Sequence, residues 1–101
     1  MNLRETKKKL EKELSVVNMK NFNNFYGPAL EVIDTYKNNG GLGKPLYDFL
    51  EELYKKHVGD EAKEEVIGEL LTCIWHHCTP SKFISFPDFD PTTKTWKKNV
   101  S

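Results

Sequence analysis

Apolar residues recur at helical spacing on both sides of Gly59 and Asp60. Residues three or four positions apart share one face of an α-helix, so each series predicts an amphipathic helix. The glycine and the aspartate predict where one helix ends and the next begins. We expect the second helix, the more apolar of the two, to lie at the centre of the fold and to end at Thr79 and Pro80. The two series are Leu46, Phe49, Leu50, Leu53, Tyr54 and Val58, then Val66, Ile67, Leu70, Leu71, Ile74, Trp75 and Cys78.

Two further helices are predicted before this pair. One covers residues 2–20, and the other begins near Gly27 and Pro28 and ends in the glycine-rich sequence KNNGG. Proline is common in a first helical turn, and glycine commonly follows a last one. The apolar positions of these helices are Leu3, Leu10, Leu14 and Val17, then Leu30, Val32, Ile33 and Tyr36.

Strand-forming residues are too few elsewhere to predict a sheet, and Pro87 and Pro91 interrupt the region after the last helix. We therefore predict an all-α fold, with a compact bundle of about four helices in residues 1–80. Residues 81–101 are predicted to form an extended aromatic C-terminal segment that packs along the bundle and belongs to the same single domain.

The charge of the chain is balanced, with 15 basic and 15 acidic residues among 101. This balance argues against a protein built around a polyanion. Lysines in the first helix alternate with glutamates, which is typical of a solvated helix face. A nucleic-acid-associated regulator that uses this helix is the alternative function, and a homodimer paired through its thin apolar stripe is also considered. The lysines are Lys7, Lys8, Lys9 and Lys12.

Cys73 and Cys78, the two cysteines, do not form a disulfide framework. No apolar run approaches the roughly 20 residues that span a bilayer, and the N-terminal sequence does not read as a secretion signal. We therefore expect a cytoplasmic protein that does not bind a membrane. The composition, rich in lysine and asparagine, is typical of a low-GC bacterium or its phages.

Cys73, His76 and His77 would share one face of a continuous helix, and thiolate and imidazole are ligands that zinc prefers. The alternative is that the cysteine is a small buried hydrophobe and the histidines lie at the helix end. We favour that alternative and expect no cofactor and no catalytic residues. A zinc-binding helical protein is kept as a further alternative.

Aromatic residues after Pro80 are candidates for contact with a partner protein, because aromatic side chains dominate interface energies. Phe83 and Ile84 are expected to dock on the bundle itself. The acidic face of the fourth helix is expected to orient a partner. The predicted partner-binding residues are Phe86, Phe89, Trp96, Lys97, Glu61 and Glu65.

These patterns favour a small non-enzymatic protein that binds another protein and blocks or modulates it by steric occlusion. Inhibitors of host proteins or host defence encoded by phages, and immunity proteins against toxins or bacteriocins, are proteins of this kind. The outline of four helices and a tail resembles the pediocin-type bacteriocin immunity proteins. The resemblance is architectural and implies a role for no individual residue.

Overall fold

The computed structural model describes residues 2–21, 24, 26–76 and 84–97, with residue 26 described by its backbone alone. The described residues form four α-helices that pack against one another, so the predicted all-α class is confirmed. The helices are α1 Leu3–Ser15, α2 Tyr26–Asn38, α3 Gly43–Lys56 and α4 Glu61–Ile74.

The first helix is shorter than predicted, because asparagine side chains take over hydrogen bonds beyond its end. Asn21 donates from Nδ2 to the carbonyl oxygen of Val16 and accepts the N–H of Asn18 at Oδ1. Asn18 in turn accepts the N–H of Lys20. Side chains of this type offer the backbone an alternative to helical hydrogen bonds. The α1 helix therefore ends at Ser15 rather than near residue 20.

The fourth helix begins as predicted and ends earlier. Its N-cap is Asp60, whose side chain accepts the N–H of Lys63. Its last residue is Ile74, and His76 has a left-handed φ of 62°. A left-handed residue just after the C-cap ends a helix, although glycine is the usual choice there. The prediction of an uninterrupted helix is therefore wrong at His76, and residues 77–80 lie outside the described residues.

Packing places α1 and α3, rather than α4, between other helices. The α3 helix packs on α4 and on α1, and α1 also packs on α2. The expectation that α4 lies at the centre is therefore corrected. The apolar stripe of α1 is largely buried within its own chain, and the homodimer considered above stays a prediction. Among the described residues, the largest apolar side chains that are fully buried are those of Leu10, Ile33, Leu46, Leu50, Val66, Ile67, Leu70 and Ile74.

The C-terminal segment packs on the bundle as expected, but it contains a small hairpin that the sequence analysis did not predict. Strands β1 (Phe89–Asp90) and β2 (Thr95–Trp96) pair antiparallel, with Phe89 opposite Trp96. Between the strands, Asp90 accepts the N–H groups of Thr92 and Thr93, a hydrogen-bonding pattern that stabilises turns. Ile84 and Phe86 are part of the same core as the helices.

Among the described residues, no helix is both long and apolar enough to cross a membrane.

Candidate functional site

The aromatic residues predicted to contact a partner lie largely inside the protein. Phe86 and Phe89 are each 4% exposed. The Phe86 ring centre lies 6.2 Å from that of Tyr36, and the Phe89 ring centre lies 5.0 Å from that of Trp75. Both rings are covered by their own chain, and a partner-binding role for Phe86 and Phe89 stays a prediction. In this arrangement Phe86 and Phe89 stabilise the fold.

Trp96 is the outer member of the same aromatic cluster. It is partly buried, and its ring centre lies 4.9 Å from Phe89 and 5.6 Å from Tyr47. The Lys97 side chain is exposed, while its N–H donates to the carbonyl oxygen of Asp88 at 2.7 Å. A partner-binding role for Trp96 and Lys97 therefore stays a prediction.

A buried carboxylate joins this segment to the start of α3. Asp88 is 2% exposed, and its two oxygens accept the N–H groups of Gly43 at 2.8 Å and Lys44 at 2.9 Å. The first N–H groups of a helix have no partner within the helix, and a carboxylate there is also favoured by the helix dipole. Asp88 thus caps α3, whose own N-cap residue, Leu42, has no side-chain hydrogen bond.

A lysine makes the complementary contact at the end of α4. Lys94 has a left-handed φ of 58°, and its ammonium donates to the carbonyl oxygens of Trp75 at 2.7 Å and His76 at 3.2 Å. A positive charge is favoured at a helix C-terminus. We call residues 84–97 the C-terminal clasp, because they hold the start of α3 and the end of α4 together.

His76 lies against this clasp. Its Nε2 is 3.3 Å from Ser85 Oγ, and its ring meets the Phe89 ring edge-on at 5.6 Å. Burial lowers the pKa of His76 below its usual value, and the charge of Lys94 lowers it further, against a hydrogen bond with the Ile84 backbone that raises it. The neutral imidazole is therefore favoured in the folded protein.

The proposed zinc face of Cys73, His76 and His77 depended on an uninterrupted helix. Because α4 ends at Ile74 and His76 is left-handed, His76 does not follow Cys73 on a helical face. Within the described part of the chain, no group of three or more histidine, cysteine, aspartate or glutamate residues could hold a metal ion. His77 lies outside the described residues, so the zinc alternative stays a prediction.

The lysines of α1 are divided between different surroundings. The ammonium of Lys7 lies 5.3 Å from the centre of the Phe49 ring. Lys9 and Lys12 line a hollow together with Glu13 and Glu31, two carboxylates. This mixture of charges matches the solvated helix face that the sequence predicted.

At the other end of the α3–α4 pair, apolar side chains reach the surface. Met19 is 58% exposed and Tyr54 is 38% exposed. They line a groove of about 350 Å³ with three glutamates of α4, and we call this feature the Met19 groove. It is formed by Met19, Tyr54, Glu61, Glu64 and Glu65.

A second hollow adjoins the Met19 groove and shares Met19 and Glu61 with it. Val58, which is 69% exposed, lines this hollow in the turn between α3 and α4. Met19 lines both hollows, with Tyr54 in the first and Val58 in the second. Exposed apolar side chains that lie near one another are candidates for interaction sites on proteins.

The glutamates of the groove differ in their own contacts. Glu64 accepts the N–H of Gly59 at 2.9 Å, which fixes the turn before α4. Glu61 and Glu65, which the sequence predicted as partner-orienting residues, are exposed along one face of α4. The nearby Lys63 ammonium lies 3.5 Å from Asp60. The structure therefore brings the two predicted glutamates together with apolar residues that were not predicted as a site.

Sequence reasoning assigned Tyr54 and Val58 to the buried stripe of α3 and gave Met19 no role. A helix stripe in a sequence does not show where the neighbouring helix stops covering it. One feature of the sequence could have indicated the groove. Tyr54 and Val58 are the last two apolar residues of the series, close to the predicted turn at Gly59, where a helix is less covered by its neighbours. For Asp88 and Lys94, no local pattern indicates a contact with a distant helix end.

Comparisons with protein-family models, with curated proteins and with solved structures gave no significant match to this chain.

Proposed function

We propose that this chain is a non-enzymatic protein-binding module that docks on a partner protein through the Met19 groove and blocks or modulates it by occlusion. The observation that carries the proposal is the exposure of Met19, Tyr54 and Val58 around two adjoining hollows. Covering these side chains would remove apolar surface from water, which favours association by about 25 cal/mol per Å² before the costs of binding.

The side chains of the groove suit protein contact. Methionine adapts to irregular partner surfaces, and tyrosine offers a large ring with a polar end. The carboxylates of Glu61 and Glu65 lie beside this apolar surface, where they would orient an approaching partner and contribute to specificity. The Met19 groove thus replaces the aromatic tail as the proposed anchor.

The biological setting is proposed from the sequence. A phage-encoded inhibitor of a host protein and a toxin or bacteriocin immunity protein both act by such occlusion, and both remain hypotheses for this chain. A cytoplasmic location is part of the same proposal.

The test is a comparative capture experiment with a lysate of a low-GC bacterium. The wild type, a Met19→Ser/Val58→Ser variant and a Leu42→Ser variant are immobilised, and retained proteins are identified by mass spectrometry. We expect a protein that the wild type and Leu42→Ser retain and the groove variant loses. Leu42 is the matched control, because it is also an exposed apolar residue but lies at the start of α3.

The captured protein is then purified, and its affinity for each variant is measured by calorimetry. Loss of two anchor side chains should weaken binding at least about 30-fold, as truncation of interface hot spots does. Equal affinity of the groove variant and the wild type would reject the Met19 groove as the docking surface.

The alternative of a nucleic-acid-associated regulator is favoured only by the exposed lysines of α1, among them Lys8 and Lys9. It predicts binding to a DNA or RNA duplex that weakens steeply as salt rises. Such binding, lost in a Lys8→Gln/Lys9→Gln variant, would replace the protein-docking proposal.

A further inference from the structure

The Met19 groove carries chemistry that selects among protein partners. Three of its lining residues are glutamates on successive turns of α4, and residues 60–78 as a whole carry five acidic residues and one lysine. Carboxylates that border an apolar groove favour a positively charged partner segment, and complementary charges also speed association. The single lysine of this stretch, Lys63, is directed toward Asp60.

A glycine on the same side of α4 adds a second, independent observation. Gly68 lies one helical turn after Glu64 and Glu65, in the middle of a helix, where it costs about 1 kcal/mol relative to alanine. Among the described residues, a Cβ atom at Gly68 would meet only the edge of the Tyr54 ring, at 3.8 Å, an ordinary packing distance. The packing of the described residues therefore does not require the glycine, which leaves the helix without a side chain beside Tyr54.

We infer that the occupant of the Met19 groove is a segment of a partner protein that is rich in lysine or arginine and carries a bulky apolar side chain. Its apolar side chain lies against Met19 and Tyr54, its cations face Glu61 and Glu65, and its backbone passes close to Gly68. This inference rests on the proposed function, because it names the partner chemistry of the same groove.

The test uses labelled synthetic peptides as probes and the full chain as receptor. One probe is an amphipathic peptide of lysine and leucine, the second replaces every lysine by glutamate, and the third replaces every leucine by glycine. Fluorescence anisotropy measures their affinities at low and high salt. We expect the lysine–leucine peptide to bind at least tenfold more tightly than either of the others, with binding that weakens as salt screens the charges.

Variants of the receptor locate the binding. A Glu61→Gln/Glu65→Gln variant should bind the lysine–leucine peptide at least fivefold more weakly. The matched control, Glu11→Gln/Glu52→Gln, removes two exposed carboxylates from α1 and α3 and should leave the affinity unchanged. A Gly68→Gln variant should fold at least as stably as the wild type, because glutamine is a good helix former, yet bind the peptide at least threefold more weakly.

Four results would overturn the inference. If the glutamate–leucine peptide binds as tightly as the lysine–leucine peptide, the occupant is not a basic segment. If the groove variant and the control variant weaken peptide binding equally, the peptide does not bind at the Met19 groove. A dimer of this chain that dissociates on Met19→Ser/Val58→Ser would show that a second copy covers the groove. If a captured partner docks on the groove through a neutral or acidic segment, this inference fails while the proposed function stands. If no partner depends on the groove, the proposed function itself fails.

Discussion

The two ends of the α3–α4 pair are built in opposite ways. The C-terminal clasp covers one end, where Asp88 and Lys94 satisfy helix ends and Phe89 is buried between aromatic rings. At the other end, Met19 and Tyr54 are exposed to solvent and line a groove together with the glutamates of α4. The clasp uses its polar and aromatic groups within the fold, whereas the apolar side chains of the groove are exposed.

The comparison shows that aromatic content alone does not indicate a binding surface. The segment richest in aromatics closes the core, and the exposed apolar surface comes from a helix end and two connecting turns. Glycines follow the same division. At Gly43, at the clasp end, a Cβ atom would clash with Phe86. At Gly68, beside the groove, the described residues leave room for a Cβ atom.

The largest expected difference in stability is between variants of two aromatic residues, one from the clasp end and one from the groove end of the α3–α4 pair. Phe89→Ala should lower the free energy of unfolding by about 3–5 kcal/mol, because it removes a buried ring and leaves a cavity. Tyr54→Ala, in the groove, should lower it by less than about 1 kcal/mol, since the ring is partly exposed. Urea denaturation followed by circular dichroism measures both values.

If Phe89→Ala does not fold, Phe89→Leu keeps the comparison measurable, with an expected loss of about 1–2 kcal/mol. A loss for Tyr54→Ala as large as that for the Phe89 variant would show that the groove end is also part of the stabilising core.

The next effect contrasts two carboxylates. Asp88→Ala should cost about 2 kcal/mol, because the N–H groups of Gly43 and Lys44 lose their acceptors inside the protein. Glu61→Ala should change stability by no more than about 0.5 kcal/mol, as expected for an exposed residue. Amide hydrogen exchange at Gly43 and Lys44 should accelerate in the Asp88 variant. Unchanged exchange there would contradict the capping role.

The smallest expected changes in stability come from replacing a glycine by alanine, and they have opposite signs at the groove end and the clasp end. Gly68→Ala should stabilise the protein by about 0.5–1 kcal/mol, because the added methyl group fits and favours the helix. Gly43→Ala should destabilise it, because a Cβ atom there would lie 2.7–2.9 Å from atoms of Phe86. Thermal melting resolves this difference, since 1 kcal/mol shifts the midpoint by about 4–8 °C in a domain of this size. Destabilisation by Gly68→Ala would mean that the fold itself requires that glycine.

The four helices follow from local sequence, since the spacing of residues such as Leu46 and Leu50 fixes which face is buried. Asp60 was identified as a cap because it lies directly before the helix that it caps. The roles of Asp88 and Lys94 depend on helix ends far away in the sequence. No local rule predicts such contacts, and the hairpin that places them was missed for the same reason.

The candidate site was predicted in part. Glu61 and Glu65 were identified from their clustering in the first turns of α4, and the structure places them beside apolar residues. Tyr54 and Val58 were assigned to the buried stripe of α3, because the stripe in the sequence does not show that the helix ends at Lys56 or that these two side chains are exposed. Phe86 and Phe89 were predicted to contact a partner. The sequence alone does not distinguish an aromatic residue that packs on its own chain from one that contacts another protein.

The cap on α3 also has a consequence for the order of folding. Asp88 follows Gly43 by 45 positions, so during synthesis α3 emerges well before the residue that completes its first turn. Contacts that span many residues form late, because the loop between them must first be closed. A nascent chain that has reached α4 but not the clasp therefore exposes the face that Phe86 and Phe89 later cover. Chaperone binding to this protein should fall sharply once synthesis passes the hairpin.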